Sequence, residues 1–392
     1  MFSQKKVSNV IFLMFFTLFL FLISGCTYKS TIAIDSSNKD KTFKGLNKIF
    51  SESEDIVIYH IHGMGRHNSK EPGIVSFYNK VATQMGFTEL LKSYHLLTEN
   101  DFYYGNMSIF RYENKNSRKF KVISLSWSDI TLPKELDLNY DSNPYLERVA
   151  YVNKEIKMFM NDGFGDAILY LNPNYKEAVH TSIRLGIERA CREDKELCNP
   201  KNVIVSSSLG SKMLFDVLDE NYVMKGVNYK DFFPQIAQIF MTSNQIPLID
   251  LFSTKISIKH LKGEKDFIIS QNLNTEKANS DENTKTLYKI ENIINKYSSK
   301  NKKLPIIAFS DPNDALSYYI PYTGKCDRTT NVENCVETMS FTNVTVSYVN
   351  WWWFGILANP VFAHGGFMKS DIGADALING SDNLEFKNYK RN

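Results

Sequence analysis

A serine hydroxyl, an imidazole and a carboxylate, widely spaced in a chain of 392 residues, are the groups whose types and positions can do chemistry together. The serine is Ser208, within Asn202 to Asp216, which reads NVIVSSSLGSKMLFD. Val203, Ile204 and Val205 form a β-branched run that reads as a buried strand, and Leu209, Met213, Leu214, Val217 and Leu218 recur at helical spacing. A strand, a tight turn and a helix with serine at the tip is the layout of a nucleophile elbow, usually G-x-S-x-G. Here the pentapeptide is S-S-S-L-G, with Ser206 in the first glycine position. Small residues are needed on both sides because larger ones would strike the neighbouring strand and helix. Taken alone, the pentapeptide reads equally well as a strand-to-helix turn capped by hydroxyls.

An attacking serine needs a base, an acid to orient that base, and N–H donors for the oxyanion that develops. The donors are sought in the Leu209 amide, directly after the serine, and in His62-Gly63-Met64-Gly65, which follows the apolar run Ile56–Ile61. Met64 is the preferred loop donor and Gly65 the next, since glycine lets backbone approach a substrate without a side chain in the way. The acid lies in FSDPNDAL, residues 309–316, after a late apolar run. Asp314 is preferred, and Asp311, which can instead cap the turn ahead of Pro312, is the alternative. The base is His364, in VFAHGGF, flanked by small residues that leave the ring accessible.

The order Ser208, Asp314, His364, with an H-G-x-G loop upstream, resembles the α/β-hydrolase superfamily on its esterase and lipase side. The resemblance covers most of residues 55–370 and lies in the combination, because each motif alone is common. It implies a serine hydrolase that uses a triad and no metal or other cofactor. His364 would take the Ser208 proton as general base, and Asp314 would orient the imidazole and stabilise the imidazolium. The substrate read from this is a carboxylic ester, lipid-like in view of the nearby aromatics, with a thioester or amide equally open because a triad fixes acyl transfer and not the leaving group; the alternative is a surface lipoprotein that keeps the scaffold for binding or assembly. Departures from the pattern are Ser206 for glycine and Ser207 where many relatives carry histidine.

The other histidines have plainer readings. His60 and His62 fall on one face of a strand and, with His67, raise the question of a metal site. No acidic partner is nearby, so no metal is expected. His95 and His180 read as structural in helical or loop surroundings, and His260 as solvent-facing. Trp351-Trp352-Trp353 lies shortly before His364 and either lines a substrate pocket, meets a membrane interface or covers the sheet edge. Trp127 and Ser128 are expected to support the oxyanion side.

The elements that must position these groups read as α/β. Strands at 56–61, 121–127, 203–205, 238–242, 304–309 and 343–349 alternate with helical stretches at 75–90, 145–160 and 175–191, and a weak terminal helix follows Ser370. That alternation argues for a mostly parallel central sheet with helices on both faces. Residues 254–303 are rich in Asn, Lys, Glu and Ser and read as a polar insertion or cap. The expected domain runs over 54–380, followed by a polar tail at 381–392.

The first 25 residues read as a lipoprotein signal: Lys5 and Lys6, an apolar run from Val10 to Ile23, then Ser24-Gly25-Cys26. This resembles a bacterial lipobox, with Cys26 lipidated and residues 26–53 a polar tether; a plain secretory signal or an uncleaved anchor is the alternative. Thr27 stands where an inner-membrane retention aspartate would be expected, which favours the outer membrane or its periplasmic face. Cys191, Cys198, Cys326 and Cys335 fall into two close pairs, read in an exported chain as disulfides 191–198 and 326–335. A net charge of +3 with scattered lysines and no basic patch interleaved with aromatics argues against nucleic acid as a partner.

Overall fold

All six residues of the strand Ile56–Ile61 are buried, which requires a sheet covered on both faces. Val57, Tyr59 and Ile61 pack into one core cluster and Ile56 and Ile58 into another, as the two-residue period of a strand dictates. The computed structural model describes residues 31–34, 42–53, 55–67, 70, 72–137, 157, 160–193, 201–219, 232–253, 257–259, 268–270, 304–320, 339–347, 358 and 360–381.

The strands are β1 (Thr31–Ile34), β2 (Ile56–Ile61), β3 (Phe87–Glu99), β4 (Phe102–Asn114), β5 (Lys119–Ser126), β6 (Lys201–Ser207), β7 (Ile236–Thr242), β8 (Ser257–Lys259), β9 (Ile268–Ser270), β10 (Leu304–Ser310) and β11 (Met339–Ser347). The helices are α1 (Leu46–Ser51), α2 (Pro72–Gln84), α3 (Leu132–Leu136), α4 (Gly165–Leu171), α5 (Pro173–Glu193), α6 (Leu209–Asp219), α7 (Ile246–Ser253), α8 (Pro360–Gly365) and α9 (Asp371–Asn379). Nine strands form one sheet in the order β1-β11-β10-β7-β6-β2-β5-β4-β3, and β8 pairs with β9 in a separate ribbon. The run from β11 to β5 is parallel throughout, while β1, β4 and β3 pair antiparallel at the two ends. The chain is thus a mixed α/β protein with a mostly parallel sheet.

Residues of α4, α5, α6 and α7 close one core cluster, and α1, α2 and α9 close the other. Val179, Ile183, Ile187 and Ala190, one face of α5, are buried in the first. Tyr170 braces that layer: its hydroxyl donates to Asp216 at 2.9 Å and meets His180 Nε2 at 2.7 Å.

Four sequence expectations change. The tether expected over 26–53 is partly built in: Thr31–Ile34 pairs with β11, and Phe43, Leu46, Ile49 and Phe50 are buried. Leu46, Ile49 and Phe50 make one face of a short helix, masked in composition by the polar residues between them. The domain therefore begins before residue 54. The helix expected over 75–90 stops at Gln84, because Gly86 takes a left-handed φ of +79° and its N–H closes on Thr83 O. Beyond it lies the β3–β4 hairpin, which the sequence reading did not contain, and His95 sits in β3 rather than in a helix or loop.

Most of the 254–303 insertion, the helix expected over 145–160, the Trp351–Trp353 run, His260, the leader with Cys26, and Cys198, Cys326 and Cys335 lie outside the described residues. Cys191, near the end of α5, is disulfide-bonded to a partner that also lies outside them. Among the described residues no helix is long and apolar enough to cross a membrane.

Candidate active site

Ser208 sits between β6 and α6, at the centre of the carboxyl edge of the sheet, with a left-handed φ of +54°. That conformation is costly for a residue with a Cβ and persists only where the surroundings impose it. Here they do. The Ser208 N–H donates to Thr242 O at 2.7 Å, and the Ser211 N–H donates to Ser208 O at 3.1 Å. A Cβ placed on Gly63 would lie 2.4 Å from the Ser208 Cβ, and one on Gly210 would lie 2.3 Å from His62 O. Glycine is thus required at both positions by close backbone approach. Ser206, where the usual elbow has glycine, is fully buried and shares a 3.1 Å hydrogen bond with the Ser211 hydroxyl. Its small side chain is accommodated inside the turn.

His364 lies on α8, 156 residues further on, with Nε2 at 2.7 Å from Ser208 Oγ. Its Nδ1 is 2.8 Å and 3.0 Å from the two carboxylate oxygens of Asp314. A carboxylate only accepts, so Nδ1 carries the proton and Nε2 turns its lone pair to the hydroxyl. The backbone of His364 is held too, since Ser243 Oγ donates to its carbonyl. Ser243 itself has a φ of +51°, and its N–H donates to Phe309 O, tying the loops after β7 and β10 together.

Asp314 is placed by a tight turn after β10, in which its N–H donates to Asp311 O at 3.0 Å and its Oδ1 accepts from the Leu316 N–H at 2.9 Å. Burial works to raise its carboxyl; the hydrogen bond from His364, with that from the Leu316 amide, outweighs this and holds it below the ordinary carboxylate range. Asp311 faces elsewhere: its Oδ1 accepts from the Asn313 N–H at 2.8 Å and from Asn313 Nδ2 at 2.9 Å, an Asx turn that shapes the loop.

The loop after β2 is held by hydrogen bonds at His62 O, Gly63 O, Met64 O, Gly65 N and both peptide atoms of His67. His62 Nδ1 donates to Gly63 O at 2.7 Å, and its Nε2 accepts from the Trp127 N–H at 3.2 Å. Burial, then the neighbouring His67, push the His62 imidazole well below its ordinary value, so the ring is neutral, as that pair of bonds requires. It stacks on the Trp127 indole with centroids 4.8 Å apart. His67 Nε2 is 3.1 Å from Met64 O.

The Gly65 N–H donates to Asp166 Oδ2 at 2.7 Å. This corrects the expectation that Gly65 stands ready as an oxyanion donor: its donor is already committed to a carboxyl group. The amides of Met64 and Leu209 make no hydrogen bond among the described residues. Gly63 C=O and Met64 N–H belong to one planar trans peptide and point in opposite directions, so the His62 bond also fixes the aim of the Met64 donor.

Asp166, Ser243 and His67 were not singled out for these roles from the sequence. Asp166 opens α4, 101 residues from its partner Gly65, and nothing in its spacing points there. Burial first, and Glu135 beside it, push the Asp166 carboxyl well above the ordinary range. His60 packs edge-on against Tyr78 at 5.5 Å, apart from His62 and His67. No group of three or more His, Cys, Asp or Glu side chains that could hold a metal ion occurs among the described residues. The arrangement can pass a proton from a hydroxyl to an imidazole backed by a carboxylate, next to two unengaged amides.

No protein-family model matches the chain, and no curated protein matches it. Among solved structures, acetyl xylan esterase 1 from Thermoanaerobacterium sp. JW/SL YS485 is similar at 9% identity. The match covers 65% of this chain and 83% of that one with a TM-score of 0.24, a likeness too slight to carry an argument.

Proposed function

We propose that the protein is a serine hydrolase of the α/β-hydrolase type that cleaves a carboxylic ester through an acyl-enzyme. The observation that carries this reading is the continuous hydrogen-bonded series from Ser208 Oγ through His364 to Asp314, with steps of 2.7 Å and 2.8 Å. In the proposed reaction Ser208 Oγ attacks the ester carbonyl while its proton passes to His364 Nε2. The tetrahedral oxyanion is received by the Met64 and Leu209 amides. As the C–O bond to the alcohol breaks, His364 returns the proton to the leaving oxygen, and the serine keeps the acyl group. Water then attacks that acyl group, giving its proton to His364, and the acid leaves as Ser208 is re-protonated. Asp314 stays ionised throughout, holds the Nδ1–H and offsets the transient imidazolium charge.

The same reading takes the leader as a lipoprotein signal, with Cys26 lipidated at the outer membrane or its periplasmic face. An exported address suits the disulfide at Cys191, for which Cys198 is the proposed partner, with Cys326–Cys335 as a second bridge.

A fluorophosphonate probe tests the chemistry directly. Labelling at Ser208 that disappears in Ser208→Ala, together with turnover of p-nitrophenyl esters, supports the enzyme. A folded protein that takes up no probe and turns over no ester leaves a non-catalytic scaffold as the reading.

A further inference from the structure

Both ends of the nine-stranded sheet point the same way. At one end β1 runs antiparallel to β11, so its first residue, Thr31, pairs with Ser347, the last of β11. Ser310, the last residue of β10, pairs with Thr345. Thr31 therefore joins the sheet at the carboxyl edge, level with the turn that carries Asp314. Cys26 precedes it by five residues, a reach of at most about 17 Å. The amino edge lies about 23 Å away along a seven-residue strand such as β10, beyond that reach.

At the other end the β3–β4 hairpin overshoots the sheet. Ser126 ends β5 opposite Asn106, and β4 extends four residues past that point to Phe102, roughly 13 Å. Asn100 and Asp101, both at positive φ, turn the tip. Phe102 is 68% exposed, Tyr103 is exposed beside it, and Leu96, opposite Asn106 at the base of the overshoot, is exposed as well. Between the two ends, on the elements that surround Ser208, Leu136, Tyr318 and Phe362 are exposed as well. Lys369 Nζ sits 5.8 Å over the Phe362 ring, so a cation accompanies an exposed aromatic next to His364.

We propose that the carboxyl edge of the sheet is a bilayer-docking face, which turns Ser208 toward the membrane that holds Cys26 and makes esters displayed at the lipid surface its substrates. This rests on the lipid-anchored hydrolase reading above. Thr31 at one end strand and the aromatic tip at the other stand about 38 Å apart across eight strand spacings, with the serine midway. Two contacts that far apart set a face against a plane, where a lone tether would leave it free to turn. Exposed aromatics suit the headgroup region of a leaflet, and at Phe362 the Lys369 ammonium adds a cation for anionic lipid.

The test uses the full lipidated protein in vesicles of phosphatidylethanolamine and phosphatidylglycerol. An environment-sensitive fluorophore is placed in turn on Phe102→Cys, Tyr318→Cys and, at the amino edge in the β4–β5 turn, Lys115→Cys. Spin-labelled lipids are expected to quench the first two several-fold more than the third. Equal quenching at all three positions, or quenching at Lys115 alone, overturns the docking face. So does protection of Phe102 in a concentration-dependent dimer without quenching. In a second measurement, Phe102→Asp with Tyr103→Asp is expected to lower hydrolysis of a vesicle-borne ester about tenfold relative to a soluble short-chain ester, and an unchanged ratio counts against the proposal. Fluorophosphonate labelling separates the two readings. Labelled Ser208 without quenching sinks the docking face alone, whereas quenching with unlabelled Ser208 sinks the hydrolase.

Discussion

Gly63 stands so close to Ser208 that a Cβ added to the glycine would lie 2.4 Å from the serine's own Cβ and 2.7 Å from Ser207 O. Both atoms belong to the elbow itself, so the conflict cannot be relieved by swinging a flexible side chain away. Gly63→Ala is therefore expected to displace either the elbow or the loop that bears Met64. Fluorophosphonate labelling should slow by on the order of 10²-fold, with stability lowered by about 1–3 kcal/mol as in other overpacked sites. Labelling at the wild-type rate would mean that the two segments are less tightly docked than described.

The strained φ at Ser208 predicts a difference between two inactive variants. Ser208→Ala keeps a Cβ and keeps the strain, whereas Ser208→Gly releases it. The glycine variant should be the more stable by about 1 kcal/mol in urea unfolding, net of glycine's greater freedom in the unfolded chain. Equal stabilities would show that the strain released is no larger than the roughly 0.4–1 kcal/mol that glycine's added freedom costs.

Asp314 and Asp311 are separated by three positions and by their partners. Asp314→Asn should lower kcat by on the order of 10⁴, because an amide at that place favours the wrong imidazole tautomer. Asp311→Asn keeps an oxygen that can accept from the Asn313 N–H and should cost less than tenfold. The reverse result would exchange the roles of the two residues.

Asp166 should act as a hydrogen-bond acceptor whose charge is dispensable. Its raised carboxyl implies that Asp166→Asn, which retains an acceptor for the Gly65 N–H, preserves ester turnover within a few-fold. Asp166→Ala should lower kcat about tenfold with little change in KM, by loosening the loop behind Met64. Equal losses in the two variants would argue that the carboxyl's charge matters.

Acid should unfold the protein through its buried imidazoles. Burial holds His60 down to about 3 and His62 well below 6.5, so both stay neutral in the folded chain. In the unfolded chain they take up protons below about 6.5. Stability is then lost as pH falls from about 6.5 toward 3, by up to about 1.4 kcal/mol per pH unit for each imidazole. The raised Asp166 carboxyl acts with the opposite sign, favouring the folded state as pH falls toward 3.8. Neither ring nitrogen of His60 has a hydrogen-bond partner among the described residues, so His60→Phe should be tolerated and should flatten the pH dependence of the urea midpoint. An unchanged slope would place the acid sensitivity elsewhere.

The elements around the candidate site were legible in the sequence where hydrophobic period and turn chemistry coincide. Val203–Val205 followed by Ser206-Ser207-Ser208 and Gly210 announces a strand, turn and helix, and Ser208 lies at that turn. The hairpin β3–β4 was not legible, because Leu90, Leu91 and Leu96 are exposed and break the alternation that marks a half-buried strand. Phe43 to Phe50 was missed because its apolar face is short and set among polar residues. Asp166 and Ser243 act through partners more than 100 positions away, and a local pattern carries no trace of such pairings.

The seam between α1 and α9 has a consequence for biosynthesis. The Phe43 N–H donates to Ser381 Oγ, the Ser381 N–H donates back to Phe43 O, and Lys44 bridges to Gly380. Gly45 and Gly380 meet so closely that a Cβ on the first would lie 2.3 Å from the second's nitrogen. α1 thus waits for residues far along the chain to cover it, Phe43 and Ser381 being 338 positions apart. A nascent chain of this build keeps the apolar face of α1 uncovered until residues 371–381 have been made, so this corner of the fold closes late and its apolar side chains stay open to non-native contacts in the meantime.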